Sequence, residues 1–127
     1  MRYTLAVDFD GVVHMYTTPF QGEDVIPDPP VPGAIEALNR LSRSFTIVIH
    51  TTRGRTEQGA AAVRRYLHEH GYRLAFETTV TAQKVPALLY IDDRGYRFDG
   101  SNWPTAHEVH AMRPWNKPLT EKSAEDA

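Results

Sequence analysis

Asp8 and Asp10 close an apolar run, "YTLAVDFDGVV" (3–13), in which two carboxylates stand two residues apart at the end of what reads as a buried strand. Like charges at that spacing repel each other, and burial strips both of hydration. Side chains at i and i+2 of an extended segment point the same way, so something cationic must hold them, or they sit in water at an Asp-Gly turn. Two more apolar runs end in polar groups, the first in "HTTR" (50–53) and the second in "YIDD" (90–93). Ligands of open parallel sheets bind beyond the carboxyl ends of the strands. If these strands are neighbours, Asp8, Asp10, Asp92 and Asp93 gather at one edge with Thr51 beside them. Lys84, eight residues before Asp92, supplies a further positive charge. Hard oxygen ligands in a chain with no cysteine point to Mg²⁺ rather than a soft metal.

Periodicity predicts the elements that position these groups. Residues 3–8 read as a short strand and Gly11 as a turn. From His14 to Pro32 the pattern loses its period, and "PDPPVP" (27–32) excludes a helix interior, because proline removes donors and clashes with the preceding turn. Residues 14–32 are therefore expected as an ordered loop or flap. Ala34, Ile35, Leu38 and Leu41 make one helical stripe within 33–43. "SFTIVIH" (44–50) is continuous and β-branched, a strand covered on both faces. A second helix is expected over 56–70, with Ala60, Val63 and Leu67 aligned and Gly71 as its stop. "RLAF" (73–76) predicts a third strand, "ALLYID" (87–92) a fourth and "YRF" (96–98) a short edge strand, followed by a last helix over 104–112. The tail from Lys117 is polar and expected to be disordered. Strands alternating with helices imply right-handed crossovers, hence a Rossmann-like three-layer α/β sandwich with a mostly parallel central sheet and helices on both faces. Residues 1–116 would form its single domain.

The ordered set "DFDGVV" (8–13), "VIHTTR" (48–53), Lys84 in "QKVPALLYIDD" and "YIDD" (90–93) resembles the haloacid dehalogenase-like superfamily of phosphohydrolases. The resemblance spans about residues 3 to 98 and implies a Mg²⁺-dependent phosphatase acting on a phosphate monoester. It makes Asp8 the nucleophile that forms an aspartyl-phosphate and Asp10 the general acid and base, protonated when substrate arrives. Thr51 would donate its hydroxyl to a phosphoryl oxygen, while Lys84 would neutralise another and orient Asp8. Mg²⁺ would bind the Asp8 carboxylate, the backbone carbonyl of Asp10 and the Asp92 carboxylate, with Asp93 bound less directly. Backbone N–H groups at Phe9–Asp10 would complete the cradle, with Thr52 and Arg53 on the substrate. Many members carry a large inserted cap. Here the insertion after the first motif is only the 14–32 loop, so this chain resembles a capless member.

Composition narrows the setting. With 127 residues there is room for one domain, and a formal net charge of -2 offers no field to recruit nucleic acid or acidic lipid. The phosphorylated substrate is then a small molecule, a nucleotide or a bulky ester, with nucleic acid not favoured. No apolar run approaches a membrane span, and the absence of cysteine fits a reducing, cytoplasmic setting. A homo-oligomer is compatible with the chain. Arg53 and Arg55 in "TRGR" (52–55) would grip a second anionic group of the substrate or sit in a solvated loop. His14 is a weak candidate for the pocket, His50 a packed strand residue, and Tyr16 and Phe20 the flap's specificity candidates. Trp103 and Trp115 are expected to pin the C-terminal segment to the core. Two rival functions share these residues: a non-catalytic phosphate- or metal-binding module, and a phosphotransferase or phosphomutase using the same intermediate.

Overall fold

The computed structural model describes residues 2–116; the polar tail from Lys117 lies outside the described residues. Four strands, β1 (Thr4–Asp8), β2 (Thr46–His50), β3 (Thr79–Thr81) and β4 (Leu89–Ile91), form one sheet in the order β3-β2-β1-β4. Every pairing is parallel, with Val7 opposite both Ile49 and Ile91. The reversal of order between β1 and β4 places β1 between β2 and β4. The carboxyl ends that carry Asp8, Thr51 and Asp92–Asp93 therefore lie side by side.

Helix α1 (Ala34–Leu41) follows the flap, and α2 (Glu57–Glu69) follows β2 through a 3₁₀ turn at Thr52–Arg55. Helix α2 starts where the Thr56 hydroxyl oxygen accepts the Gly59 N–H at 3.0 Å, a side-chain N-cap. Its stripe Ala60, Val63 and Leu67 packs with Ile35 and Leu38 of α1 onto Leu5, Val7, Ile47, Ile49 and Val80. Helix α1 is also tied to the chain just beyond α2, where Asn39 bonds the backbone of Gly71 and Arg73. Both helices therefore cover one face of the sheet. Helix α3 (Ala106–Ala111) buries none of its side chains, so among the described residues the expected second helical layer is not formed.

Two expected strands are also corrected. Residues 73–76 do not pair. Ala75–Glu77 is a 3₁₀ turn, closed by the Thr78 hydroxyl donating to Leu74 O at 2.8 Å, and β3 lies beyond it in the β-branched "TVT", with Val80 reaching the core. Residues 96–98 are not a strand; their chain runs into a turn held by Asp99 accepting from Ser101 and Asn102 N–H. The flap is an ordered loop, as expected, tied down by Met15 N–H to Pro29 O and Val31 N–H to Val13 O. No inserted domain is present among the described residues, and no helix there is long and apolar enough to cross a membrane.

Gly59 sits where α2 meets the preceding turn, and a Cβ there would be driven into the carbonyl oxygen of Arg53. Gly59→Ala is therefore expected to lower stability by about 1–3 kcal/mol by overpacking, although alanine is the better helix former. A thermal melt checks it, and an unchanged or raised Tm would show that the turn has room.

Candidate active site

Asp8 ends β1 between the ends of two neighbouring strands, and desolvation is the main consequence. Burial pushes its carboxyl up; the Phe9 N–H at 2.8 Å opposes this, while the nearby Asp93 and Asp10 add to it, and the net result is about 7. Asp93 faces Asp8 across the turn at Gly11, whose positive φ of 84° and missing Cβ leave space for the Asp93 carboxylate. One oxygen of Asp93, Oδ1, is buried with no hydrogen-bond partner among the described residues. Asp92 behaves differently. It is exposed, and its Oδ1 accepts the N–H groups of Arg94 and Gly95, capping its own turn. The carboxylate closer to Asp8 is thus Asp93, which reverses the expected ranking of the pair.

Asp10 has the opposite environment. Burial pushes its carboxyl up, but hydrogen bonds from His14 and Arg53 and the charge of Arg53 outweigh it, and the net shift is downward. Arg53 Nε reaches Asp10 Oδ2 at 2.9 Å and Oδ1 at 3.1 Å, while Nη1 donates to the carbonyls of Gly22, Glu23 and Val25. His14 is fully buried against Phe9 and Tyr66. Its Nε2 accepts the Asp28 N–H at 3.0 Å, so Nδ1 carries the proton and donates to Asp10 Oδ1 at 2.8 Å. The expectation of a protonated Asp10 fails for this reason: two donors hold it ionised. The expectation of Arg53 on the substrate fails with it, because that guanidinium is fully buried and occupied by the flap and Asp10.

Thr51 is buried at the end of β2, its hydroxyl oxygen accepting the Arg53 N–H at 3.2 Å, which leaves its proton to point elsewhere. It lines a cavity of about 240 Å³ with Asp8, Asp10, Thr52, Asp93 and Tyr16. A second cavity of about 390 Å³ opens from Asp8 over the helix-free sheet face, past His50 and Tyr90. Lys84 is not brought to either; it is exposed, with Nζ 5.5 Å from the Tyr90 ring centroid. The Phe9 side chain is wholly buried and its N–H is taken by Asp8, so it offers the substrate neither. Phe20 lies over the Arg53 guanidinium at 5.2 Å rather than in the cavity, and Arg55 is exposed. Trp103 is 79% exposed and meets Phe98 in a tilted ring contact, whereas Trp115 does anchor its segment, Nε1 donating to Gly11 O at 2.6 Å.

Arg94 and Pro114 also line the 240 Å³ cavity, and periodicity singled out neither. Arg94 directly follows the acidic pair, which was a usable signal. Pro114 carried none, since only folding brings residue 114 to residue 11.

Among the described residues no three His, Asp or Glu side chains form a metal-binding group. The hard-oxygen set available to a divalent cation is the Asp8–Asp93 pair, completed by backbone or water oxygen. The unpartnered Asp93 Oδ1 and the raised Asp8 carboxyl are the two features such an ion would relieve, so the residues fit one. No protein-family model matches the chain, and neither a curated protein nor a solved structure is detectably similar to it.

Two expectations follow. Asp8 titrates at 3.8 unfolded and about 7 folded, so the stability its neutral form confers is complete below the unfolded value and is lost as pH rises through the folded one. Asp8→Asn should therefore melt above wild type at about pH 8 without divalent cations, by a few kcal/mol on the order of the shift, and the gap should close toward about pH 4. Equal melts across that range would contradict the buried, protonatable Asp8. Arg53→Lys should cost about 3–5 kcal/mol in urea unfolding, close to Arg53→Ala, because an ammonium cannot serve Asp10 and the flap carbonyls together.

Proposed function

We propose that the protein is a Mg²⁺-dependent phosphatase that hydrolyses a phosphate monoester through an aspartyl-phosphate on Asp8. The observation that carries the reading is the meeting of Asp8, Asp10, Thr51 and Asp93 around one cavity at the carboxyl ends of adjacent parallel strands. Those residues come from three separate stretches of the sequence, and they are the types that the resemblance to haloacid dehalogenase-like phosphohydrolases requires.

In this reading an Asp8 oxygen attacks phosphorus, the phosphorus–ester oxygen bond breaks, and the ester oxygen departs with the bonding pair as an alkoxide or phenolate, which takes its proton from solvent. Water then attacks the same phosphorus, giving inorganic phosphate and restoring the Asp8 carboxylate. Asp10, held ionised by His14 and Arg53, takes the proton of that water. Thr51 directs its hydroxyl proton to a phosphoryl oxygen, and Arg94 at the rim supplies the positive charge first assigned to Lys84. Asp8, Asp93 and the Asp10 backbone carbonyl would hold Mg²⁺, with Asp92 stabilising the turn that presents Asp93. The chemistry Mg²⁺ supplies when bound is charge neutralisation, which keeps Asp8 ionised beside its acidic neighbours and lowers the repulsion met by an anionic ester.

The test is phosphate release from a broad panel of phosphomonoesters with and without Mg²⁺. Turnover should need the ion and fall by at least about 10³-fold in folded Asp8→Asn. With Asp10 ionised, aryl phosphates of acidic phenols should react fastest. Turnover that survives Asp8→Asn would refute the mechanism, and a wild type inert on the whole panel would favour a binding module.

A further inference from the structure

A third cavity, of about 410 Å³, lies beside the acidic site, between the turn after β4 and the C-terminal end of α3. Asp93, Arg94 and Pro114 line both it and the cavity at Asp8, so the two volumes adjoin. Arg97 and Arg113 join Arg94 on its wall, and Tyr96, Val109 and Met112 make the wall's apolar part. Three arginines thus border one space against a single acidic residue, Asp93. Among the described residues none of the three is in an ion pair. Arg113 is half-buried; its Nη1 donates to the Met112 carbonyl, while its Nε is buried with no hydrogen-bond partner.

An unpartnered buried donor costs about 1–3 kcal/mol, and cations sharing one wall repel each other. Both costs fall when an anion enters. The walls are built rather than loose: the Tyr96 hydroxyl donates to Asn102 O at 3.1 Å, and α3 begins in a reciprocal capping box between Thr105 and Glu108. The volume lies within the range of about 300–1,000 Å³ usual for small-molecule sites. A guanidinium fork matches phosphate with paired hydrogen bonds, and three of them suit a dianion better than a single carboxylate. A net charge of -2 gives the surface no general affinity for a long polyanion.

We propose that this cavity is a second anion subsite, and that the substrate is a small phosphomonoester carrying a second phosphate on the same molecule. This rests on the phosphatase reading above. The reacting phosphate lies at Asp8, the second on Arg97 and Arg113, and Arg94 stands between them. The grip on a second anion, one of the two readings of Arg53 and Arg55 beside a solvated loop, passes to Arg97 and Arg113.

The test compares a series of alkanediol bisphosphates of increasing length with the matching alkyl monophosphates. In wild type, kcat/KM should favour the bisphosphate of the right length. In Arg97→Ala/Arg113→Ala, or in the milder Arg97→Gln/Arg113→Gln should the first not fold, that preference should fall about tenfold or more. A wild-type ratio near one at every length, or an equal loss for both substrate kinds, overturns the subsite. If wild type hydrolyses neither kind, nor an aryl phosphate run beside them, the phosphatase reading fails instead, and in either case calorimetry of the bisphosphates on Asp8→Asn decides the subsite alone. Binding that disappears with the arginine pair supports it, and no binding overturns it.

Discussion

The guanidinium of Arg53 is the point on which the site depends. It lies in the interior, where a lone cation would be strongly disfavoured, and it is tolerated because its Nε meets a carboxylate and its Nη1 meets backbone carbonyls. One side holds Asp10 and the other holds the carbonyls of Gly22, Glu23 and Val25. The flap is irregular and proline-rich, so its backbone has few partners of its own. Arg53 supplies the partners and fixes the distance between flap and sheet edge. His14 repeats the linkage further along the flap, with Asp10 on one ring nitrogen and the Asp28 backbone on the other. Asp28 in turn is bonded to the N–H and hydroxyl of Thr18.

This clamp divides the labour between two aspartates that the sequence presents as equivalents. Asp10 receives an arginine and a histidine and stays ionised. Asp8, two residues earlier, receives one backbone N–H and a second carboxylate, and is held near neutrality in proton affinity. Environment rather than residue type separates the roles, because the chain turns at Gly11 and directs Asp10 toward the flap while Asp8 stays at the sheet edge. A cation that entered beside Asp8 would meet carboxylates with no internal cation to neutralise them, since the buried guanidinium is committed to Asp10.

The periodic parts of this arrangement were legible in the sequence. The strand at β1, the β-branched run of β2 and the stripe of α2 lie within two residues of where periodicity puts them, and the polar ends of the three runs do meet. What failed has local causes. "RLAF" has the composition of a strand, but Thr78 closes a 3₁₀ turn there and the shorter "TVT" pairs instead. The ranking of Asp92 over Asp93 could not be read, because it turns on which carboxylate caps the Arg94–Gly95 turn. The burial of Arg53 was hidden for a related reason: in "TRGR" it looks like a loop cation, and only the flap's carbonyls, some thirty residues earlier in the chain, make it an interior one.

The helix-free face explains how a site without a cap acquires walls. Helices α1 and α2 both spend their apolar stripes on one side, so the C-terminal half of the other side stays open as the 390 Å³ cavity past Tyr90 and His50. Enclosure at Asp8 then falls to segments outside the sheet. The flap closes one side through Tyr16, and the segment after α3 closes the other through Pro114. That second wall hangs from the loop that follows Asp8, with Trp115 on Gly11 O and Asn116 on Met15 O. A shift of the 113–116 segment would therefore move the Gly11 turn and, with it, the space in which Asp93 faces Asp8. The wall at Pro114 and the space that Asp93 occupies thus meet at one short loop, and among the described residues no inserted domain stands over it.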